Sequence, residues 1–400
     1  MQNQNWRFLS KVIAVAAVTV LVVSFSPLAM AQGGDAYHAM FVSAPREATN
    51  IAGVSIIADR PKGFNPLTAS SEELGRYGLP QRPDKQADAK RYATWARAMQ
   101  ALRYRPAAHL EAKPYSSTNL MLAKHQPAAA AISGQPTLSN STNWSGVANT
   151  NTATTWDPSS SFTEIESAWN VPAAQPPIGA CAGGITGAQG APGFYEMSWN
   201  GIDGVPPSTD VLQGGSLSYA ECGGSAAYFG WFEWYPIYPT ILAIKCSTST
   251  LCPVNAGDDF FVITYGANST VQFVMVEDAT QGWGATYSLN QGTGPALVGN
   301  SEEQIVERPC CDVDGTGSPY PLALTNYLFE FFEFTSGTDG AGGSFFAGDQ
   351  TAATVIFSMY DDDGDQIISS VEQGSTGTQG QQSLAFTSDN CAFTGGCTSK

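Results

Sequence analysis

From about Asn140 onward the sequence predicts an all-β fold, an antiparallel double-sheet β-sandwich. Short runs rich in Val, Ile, Thr, Tyr and Phe recur there, separated by Gly, Asn, Asp and Ser clusters. Four of these runs are Phe260–Tyr265, Val271–Val276, Tyr327–Phe334 and Ala353–Tyr360. Helical periodicity is nearly absent, and roughly 260 residues are enough for one sandwich with a sizeable core.

The N-terminal stretch has the pattern of an export signal. Arg7 and Lys11 precede an apolar run from Val12 to Phe25, and Ala29–Ala31 fits a small-x-small cleavage site. The run is too short and too early for a membrane span, and no later stretch is long and apolar enough to be one. We therefore expect residues 1–31 to be a signal peptide and the mature protein to be secreted and free of the membrane.

Charge divides the remaining chain in two. Gln32 to Gln135 contains thirteen Lys and Arg against eight Asp and Glu, whereas Pro136 to Lys400 contains three against twenty-seven. So acidic a surface argues against nucleic acid as a partner. We expect residues 32–139 to be a pro-segment that ends in a cleavable Ala-, Ser- and Pro-rich linker, and residues 140–400 to be the β-sandwich domain.

The basic pro-segment predicts one amphipathic helix, from Asp84 to Tyr104. Asp84 is a plausible N-cap, and Pro106 ends the pattern. A cationic helix before an anionic domain predicts that the pro-segment inhibits the domain that follows it and is held there by opposite charge, with a folding aid or a spacer as the alternatives. Because acid neutralises carboxylates, this charge pairing predicts release at roughly pH 3 to 5.

The predicted domain contains no histidine, since His38, His109 and His125 all precede it. A Ser-His-Asp triad, a Cys-His pair and a His-ligated zinc are therefore excluded for the processed form, and we expect no metal and no cofactor. The acidic patches Asp361–Asp365 and Asp312–Gly315 fit turns better than calcium loops.

All eight cysteines lie in the predicted domain of an exported chain, which indicates disulfides. The pairings expected from spacing are Cys246–Cys252, Cys391–Cys397 and, once those are made, Cys181–Cys222. Cys310 and Cys311 are adjacent and form either a vicinal bridge or two bridges with separate partners.

One strand combines an acid with aromatic residues. In the period of two that strands impose, Trp231, Glu233 and Tyr235 share one face, and Phe232 and Trp234 share the other. A carboxyl group between two rings is typical of a cleft floor, because apolar surroundings disfavour its charged form. The alternative is a surface acid beside core aromatics.

Six short motifs follow one another in a fixed order. They are Asn143–Gly146 (Asn-Trp-Ser-Gly), Ala168–Pro172 (Ala-Trp-Asn-Val-Pro), Trp199–Gly204 (Trp-Asn-Gly-Ile-Asp-Gly), Leu212–Gly215 (Leu-Gln-Gly-Gly), Trp231–Pro236 (Trp-Phe-Glu-Trp-Tyr-Pro) and Glu303–Glu307 (Glu-Gln-Ile-Val-Glu). Together they resemble the eqolisin, or glutamic, peptidase family of secreted, pepstatin-insensitive acid endopeptidases. The resemblance implies a concanavalin-like jelly roll with the site on its concave face, polypeptide substrates and no cofactor. We expect a monomer.

The resemblance assigns the catalytic pair to Gln213 and Glu307. The chemistry is consistent, because a carboxylate can activate water for attack on a peptide carbonyl and an amide can stabilise the oxyanion. Without the resemblance, Gln213 would be interpreted as a satisfied strand amide and Glu307 as a surface acid paired with Arg308.

The substrate-binding residues implied by the resemblance are Trp144, Trp199, Asp203, Trp231 and Glu233. Their aromatic faces would pack bulky side chains of an extended peptide, although we expect one or two of the five to belong to the core. Phe229 stands where the best-known members carry an acid. The alternatives to a peptidase are a secreted carbohydrate-binding, lectin-like sandwich and a catalytically inactive peptidase homologue.

Overall fold

The computed structural model describes residues 37–113, 137–141, 143–176, 181, 193–309, 330–339, 344–345, 354–360, 366–374 and 382–388. The helices are α1 (37–42), α2 (Ser71–Arg76) and α3 (Ala89–Ala101). The strands are β1 (Arg46–Ala48), β2 (Val54–Ile57), β3 (Leu110–Ala112), β4 (Thr137–Ser141), β5 (Trp144–Thr150), β6 (Phe162–Asn170), β7 (Phe194–Asp203), β8 (Val211–Ala220), β9 (Ala227–Tyr235), β10 (Leu242–Ile244), β11 (Asp259–Gly266), β12 (Val271–Asp278), β13 (Trp283–Asn290), β14 (Ser301–Glu307), β15 (Glu330–Asp339), β16 (Ser344–Phe345), β17 (Thr354–Tyr360), β18 (Gln366–Gly374) and β19 (Gln382–Ser388).

The strands form two layers, which confirms the predicted all-β sandwich. The front layer has the order β3-β10-β9-β8-β7-β14-β5-β17-β4, and the back layer has the order β15-β6-β11-β12-β13-β2-β1. The β18–β19 hairpin joins β17 to β15. Apart from the parallel pair β17–β4, these pairings are antiparallel. Strands β17 and β18, on either side of the predicted turn Asp361–Asp365, pair with each other, while the turn itself lies outside the described residues.

The main core lies between the two layers. Phe232 and Trp234 of the front layer face Phe260 and Tyr287 of the back layer, and the Phe232 and Tyr287 rings stack with centroids 4.3 Å apart. Trp231 points the other way, into a second apolar cluster on the outer face of the front layer. The alternation predicted for this strand is therefore confirmed.

Residues 37–113, which belong to the predicted pro-segment, contribute to both layers. The β1–β2 hairpin extends the back layer beyond β13, and β3 extends the front layer beyond β10. Trp95 and Met99 of α3, together with Phe41 of α1, cover the outer face of the back layer, where they pack in one cluster with Phe273 and Met275. The helices of the pro-segment thus lie on the side of the sandwich opposite to the outer face of the front layer.

The pro-segment helix is shorter than predicted. It begins after Asp88, whose side chain accepts from the backbone N–H of Arg91 at 2.9 Å, and it ends at Ala101. Asp84, the predicted N-cap, instead accepts from the backbone N–H of Gln86 at 2.7 Å and closes a separate turn. A second local cap, four residues later, explains the shift.

An ion-pair cluster fixes α3 to the back layer. The guanidinium of Arg91 donates to Glu164 at 2.9 Å and also to Glu166. The Glu166 side chain is only 2% exposed, and burial raises its pKa to about 7, although Arg91 acts in the opposite direction. Arg91 therefore compensates a carboxylate that would otherwise be buried without a partner cation.

Replacing Arg91 with methionine is expected to destabilise the full-length chain by roughly 3 kcal/mol at about pH 8, because Glu166 then either stays charged in a buried site without its cation or takes up a proton far above the pKa it has in the unfolded chain. The loss should be smaller at about pH 5, where Glu166 takes up a proton. Thermal unfolding at both pH values measures this. The control is the double variant Arg91→Met/Glu166→Gln, which should regain most of the stability. An equal loss at both pH values would contradict this explanation.

Two of the expected disulfides, Cys181–Cys222 and Cys246–Cys252, are confirmed. The remaining cysteines lie outside the described residues. No helix in the described part of the chain is long and apolar enough to cross a membrane.

Candidate active site

Cross-strand pairing aligns the predicted site residues in three rows on the outer face of the front layer. The first row is Glu233, Gln213, Gly201 and Glu303, on β9, β8, β7 and β14. The second row is Trp231, Gly215, Trp199 and Ile305 on the same strands. The third row is Phe229, Leu217, Met197, Glu307 and, on β5, Trp144. Gln213 and Glu307 therefore face the same side, with β7 between their strands and Trp199 in the row between them.

Two positions in these rows must be glycine because the neighbouring strand leaves no room for a Cβ atom. A Cβ atom on Gly215 would lie 2.0 Å from the backbone oxygen of Ser198, and one on Gly201 would lie 2.8 Å from that of Leu212. Gly214 faces the other side, since a Cβ there would lie 2.5 Å from Val274 of the back layer. Because adjacent strand residues alternate faces, Gly215 and not Gly214 lies on the same face as the Gln213 side chain.

The Glu307 carboxylate is buried and held by two donors. Its Oε2 accepts from Trp199 Nε1 at 2.8 Å, and its Oε1 accepts from Asn143 Nδ2 at 3.3 Å. The Trp144 ring lies edge-on to the Trp199 ring, with centroids 5.0 Å apart. The carboxylate thus has a fixed orientation among rigid aromatic side chains.

The Gln213 amide has one fixed end and one unused end. Its Nε2 donates to Glu233 Oε2 at 3.0 Å, and its buried Oε1 has no hydrogen-bond partner. An ionised carboxylate can only accept, so Glu233 determines that the nitrogen of the amide points towards β9. The carbonyl oxygen and the second N–H remain able to bind a further group.

Trp144, Trp199 and Trp231 are all fully buried among the side chains of the outer cluster. Trp199 is tied to Glu307, whereas Trp144 Nε1 and Trp231 Nε1 have no hydrogen-bond partner. A substrate-binding role for these residues remains a prediction, and their burial also makes them part of the packed outer face.

Asp203 lies at the end of β7 and is hydrogen-bonded to the loop between β13 and β14. Its carboxylate accepts from the backbone N–H groups of Val298 at 2.6 Å and Asn300 at 2.9 Å, and its φ is +67°. Burial raises the pKa of Asp203 to about 6, and burial followed by the charge of Asp203 raises the pKa of Asp210 to about 8. Both Asp203 oxygens are thus engaged by the backbone, and its role towards a substrate remains a prediction.

Sequence reasoning assigned no role to Asn143, which contacts Glu307, or to Asp210, which accepts from Trp234 Nε1 at 2.8 Å. Asn143 is the first residue of the first motif, and this position is the feature of the sequence that could have indicated a role for it. Among the described residues no group of three or more His, Cys, Asp or Glu side chains could hold a metal ion.

Several solved structures are similar to this chain. One is scytalido-glutamic peptidase with a transition-state analogue inhibitor, at 20% identity over 62% of this chain and 98% of that chain, with a TM-score of 0.46. Another is SCP-B, a member of the eqolisin family in complex with the tripeptide Ala-Ile-His, at 18% identity over 62% of this chain and 98% of that chain, with a TM-score of 0.43. A third is aspergilloglutamic peptidase from Aspergillus niger, at 22% identity over 49% of this chain and 99% of that chain, with a TM-score of 0.39.

The family comparison covers more than half of the chain. No curated protein sequence matches. Residues 142–381, however, match the family model described as the Peptidase A4 family. This range includes all six motifs and every residue of the three rows. The chain therefore belongs to the peptidase A4 family, the eqolisins, and is a glutamic endopeptidase.

Proposed function

We propose that this chain is a secreted acid endopeptidase, made as a precursor, in which Glu307 and Gln213 carry out the hydrolysis of peptide bonds. The observation that carries the proposal is the register of β8, β7 and β14, which sets both side chains on one face of one sheet. The two donors on Glu307 and the bond from Gln213 to Glu233 support it, because preorganised groups need no rearrangement during the reaction.

In the proposed mechanism Glu307 is the general base and then the general acid. Its carboxylate takes a proton from water as the water oxygen attacks the scissile carbonyl, and it returns that proton to the departing amine. The second N–H of Gln213 donates to the oxyanion, while its Oε1 accepts from the attacking water. Glu233 orients the amide for both tasks.

The same face supplies the substrate-binding residues of the proposal. Trp144, Trp199 and Trp231, which are fully buried in this structure, are proposed to pack against the side chains of an extended polypeptide. Glu233 lies at the end of the first row, and Asp203 lies two residues beyond Gly201 on β7, opposite Val211. Phe229 adds an apolar contact where a polar one was expected from the family, which favours apolar residues of the substrate at that position.

The pro-segment is proposed to inhibit the enzyme from the β3 side. Its helices pack on the back layer, so they are remote from the Gln213 face. In contrast, β3 pairs with β10 of the front layer, and Lys113 Nζ lies 5.4 Å from the ring centroid of Phe229, a residue of the third row. This contact supports inhibition by the stretch at Lys113 rather than by α3.

Digestion of a denatured protein at roughly pH 3 to 5 by the purified, processed chain tests the proposed function, with pepstatin present to silence contaminating aspartic peptidases. The parent is expected to cleave, and Gln213→Ala is expected to lower kcat about a hundredfold because an oxyanion donor is lost. Absence of cleavage by a folded and processed parent would contradict the proposal. Sugar binding would then indicate the lectin-like alternative, and its absence an inactive homologue.

A further inference from the structure

The segment just before β5 is bonded to the end of β14 at two places. Asn143 Nδ2 donates to Glu307 Oε1 at 3.3 Å, and the backbone N–H of Arg308 donates to the carbonyl of Asn143 at 2.8 Å. Asn143 is fully buried. Its position relative to the Glu307 carboxylate is therefore fixed by both its backbone and its side chain.

Ser141 determines which end of the Asn143 amide meets Glu307. The Ser141 hydroxyl donates to Asn143 Oδ1 at 3.0 Å and accepts from the backbone N–H groups of Asn143 at 3.2 Å and Trp144 at 2.9 Å. Because Oδ1 is engaged by a donor, the Nδ2 end of the amide is directed at the carboxylate. Ser141, Asn143 and Glu307 thus form one hydrogen-bonded chain.

We propose that Asn143, oriented by Ser141, is a positioning residue for Glu307: it holds the carboxylate in place and favours its ionised form. The inference rests on the proposed catalytic role of Glu307. Trp199 donates to Oε2 and Asn143 donates to Oε1, and two donors on different oxygens together define the plane of the carboxylate. A donor to a carboxylate also stabilises its charged form, which keeps the base active in acid.

The other ionisable groups around Glu307 are few. On the same face of the neighbouring strands, the described titratable side chains are Glu303 on β14, Tyr195 and Asp203 on β7, Tyr219 on β8, and Glu233 and Tyr235 on β9, none of which is a cation. Lys113 lies at the far end of the row that contains Glu307, with its Nζ 5.4 Å from the ring centroid of Phe229. Trp199 and Asn143, both neutral, donate directly to the carboxylate.

The test compares Asn143→Ala with a matched control, Asn149→Ala, in the processed enzyme. Asn149 lies on β5, is buried like Asn143 and likewise donates its Nδ2 to a glutamate of β14, Glu302 at 3.1 Å, but this pair is on the inner face. Asn143→Ala is expected to lower kcat about tenfold with KM little changed. It should also move the acid limb of the kcat/KM profile to higher pH by about half a unit. Asn149→Ala should do neither.

Ser141→Ala is the second variant. It should shift the acid limb in the same direction by a smaller amount, because the Asn143 amide loses the donor that fixes its orientation. Three outcomes overturn the inference: an unshifted acid limb in Asn143→Ala, the same shift in Asn149→Ala, or, where Asn143→Ala does not fold, an unshifted limb in Ser141→Ala. Glu307→Gln separates this from the proposed function. If Glu307→Gln still cleaves, the assignment of the catalytic pair is wrong. If Glu307→Gln is inactive but Asn143→Ala leaves the acid limb unshifted, only the positioning role of Asn143 is wrong.

Discussion

Replacing Glu307 with glutamine is expected to abolish peptide hydrolysis, lowering kcat by about a thousandfold or more. Glutamine has the same volume, so the surrounding tryptophans keep their packing, but an amide cannot take a proton from water at acidic pH. Trp199 and Asn143 both donate to this side chain, and an amide can accept from only one of them at its single oxygen. Initial rates on a peptide substrate at about pH 4 measure the effect.

Glu302→Gln is the matched control for this prediction. Glu302 is the same residue type on the same strand, is buried and receives a hydrogen bond from Asn149, but it lies on the inner face. The control should therefore cleave at the parent rate, although it too places a buried amide in β14 and would show any loss of stability that this causes. Cleavage by Glu307→Gln at a rate near that of the control would remove Glu307 from the mechanism.

The faces of the long strands could be predicted from the sequence. Trp231 and Glu233 alternate with Phe232 and Trp234 because β9 has a packed layer on each side, so both faces select their own residues. The same alternation sets Glu303 and Glu307 on one face of β14. Local periodicity contains this information in full.

The pairing of the strands could not be predicted, because it depends on residues distant in the sequence. The contact of Asn143 with Glu307 joins residues 164 positions apart, and a four-residue motif gives no sign of it. The strands β1 and β3 have only three residues each, too few for a recognisable alternation. They become strands because β2 and β10 offer them paired edges.

The charge of the pro-segment predicted an association with the domain but not the face on which it occurs. A count of Lys and Arg has no direction, whereas the apolar residues of α3 do. Trp95 and Met99 complete a cluster on the back layer, and Arg91 finds its partner acids there. Burial of apolar side chains therefore determines where α3 packs, and the ion pairs form at that position.

The stability of the full-length chain is expected to decrease as pH rises from about 5 to about 8, by several kcal/mol. Burial is the largest cause of a raised pKa at each of a set of carboxyl groups. They are Asp203, at about 6, Glu166 and Glu196, at about 7, Asp210 and Asp278, at about 8, and Glu277 and Glu303, which are also raised.

The sign of this dependence follows from proton uptake. In the unfolded chain these groups titrate near pH 4, so between pH 4 and their folded pKa values the folded state binds more protons than the unfolded state. Their contribution is fully favourable below about pH 4 and is lost as pH rises through the folded pKa values. Neighbours such as Asp203 and Asp210 share one site, so their individual contributions do not add.

Thermal unfolding of the Glu307→Gln chain, which is expected not to digest itself, measures the dependence, and the added substitution Glu196→Gln isolates one group. Glu196 is buried on the inner face, where it accepts from the Ser198 hydroxyl and lies opposite Ser218, whose hydroxyl oxygen can accept from an amide. The added substitution should stabilise the chain by about 2 kcal/mol at about pH 8 and change little at about pH 5. The explanation would be contradicted if the stability did not change between these pH values, or if Glu196→Gln destabilised the chain at both of them.

These buried carboxyl groups also limit how acid can release the pro-segment. Glu166 and Glu277 are buried in the full-length chain, so protonation through their raised pKa values strengthens the fold instead of loosening it. Relief of the net charge of -17 acts in the same direction. The proposed release in acid would therefore depend on partly exposed pairs such as Arg97 with Asp259, which are 2.8 Å apart and 43% and 23% exposed. On this proposal, acid weakens the attachment of α3 at its rim while the buried carboxyl groups of the sandwich beneath it favour the folded state.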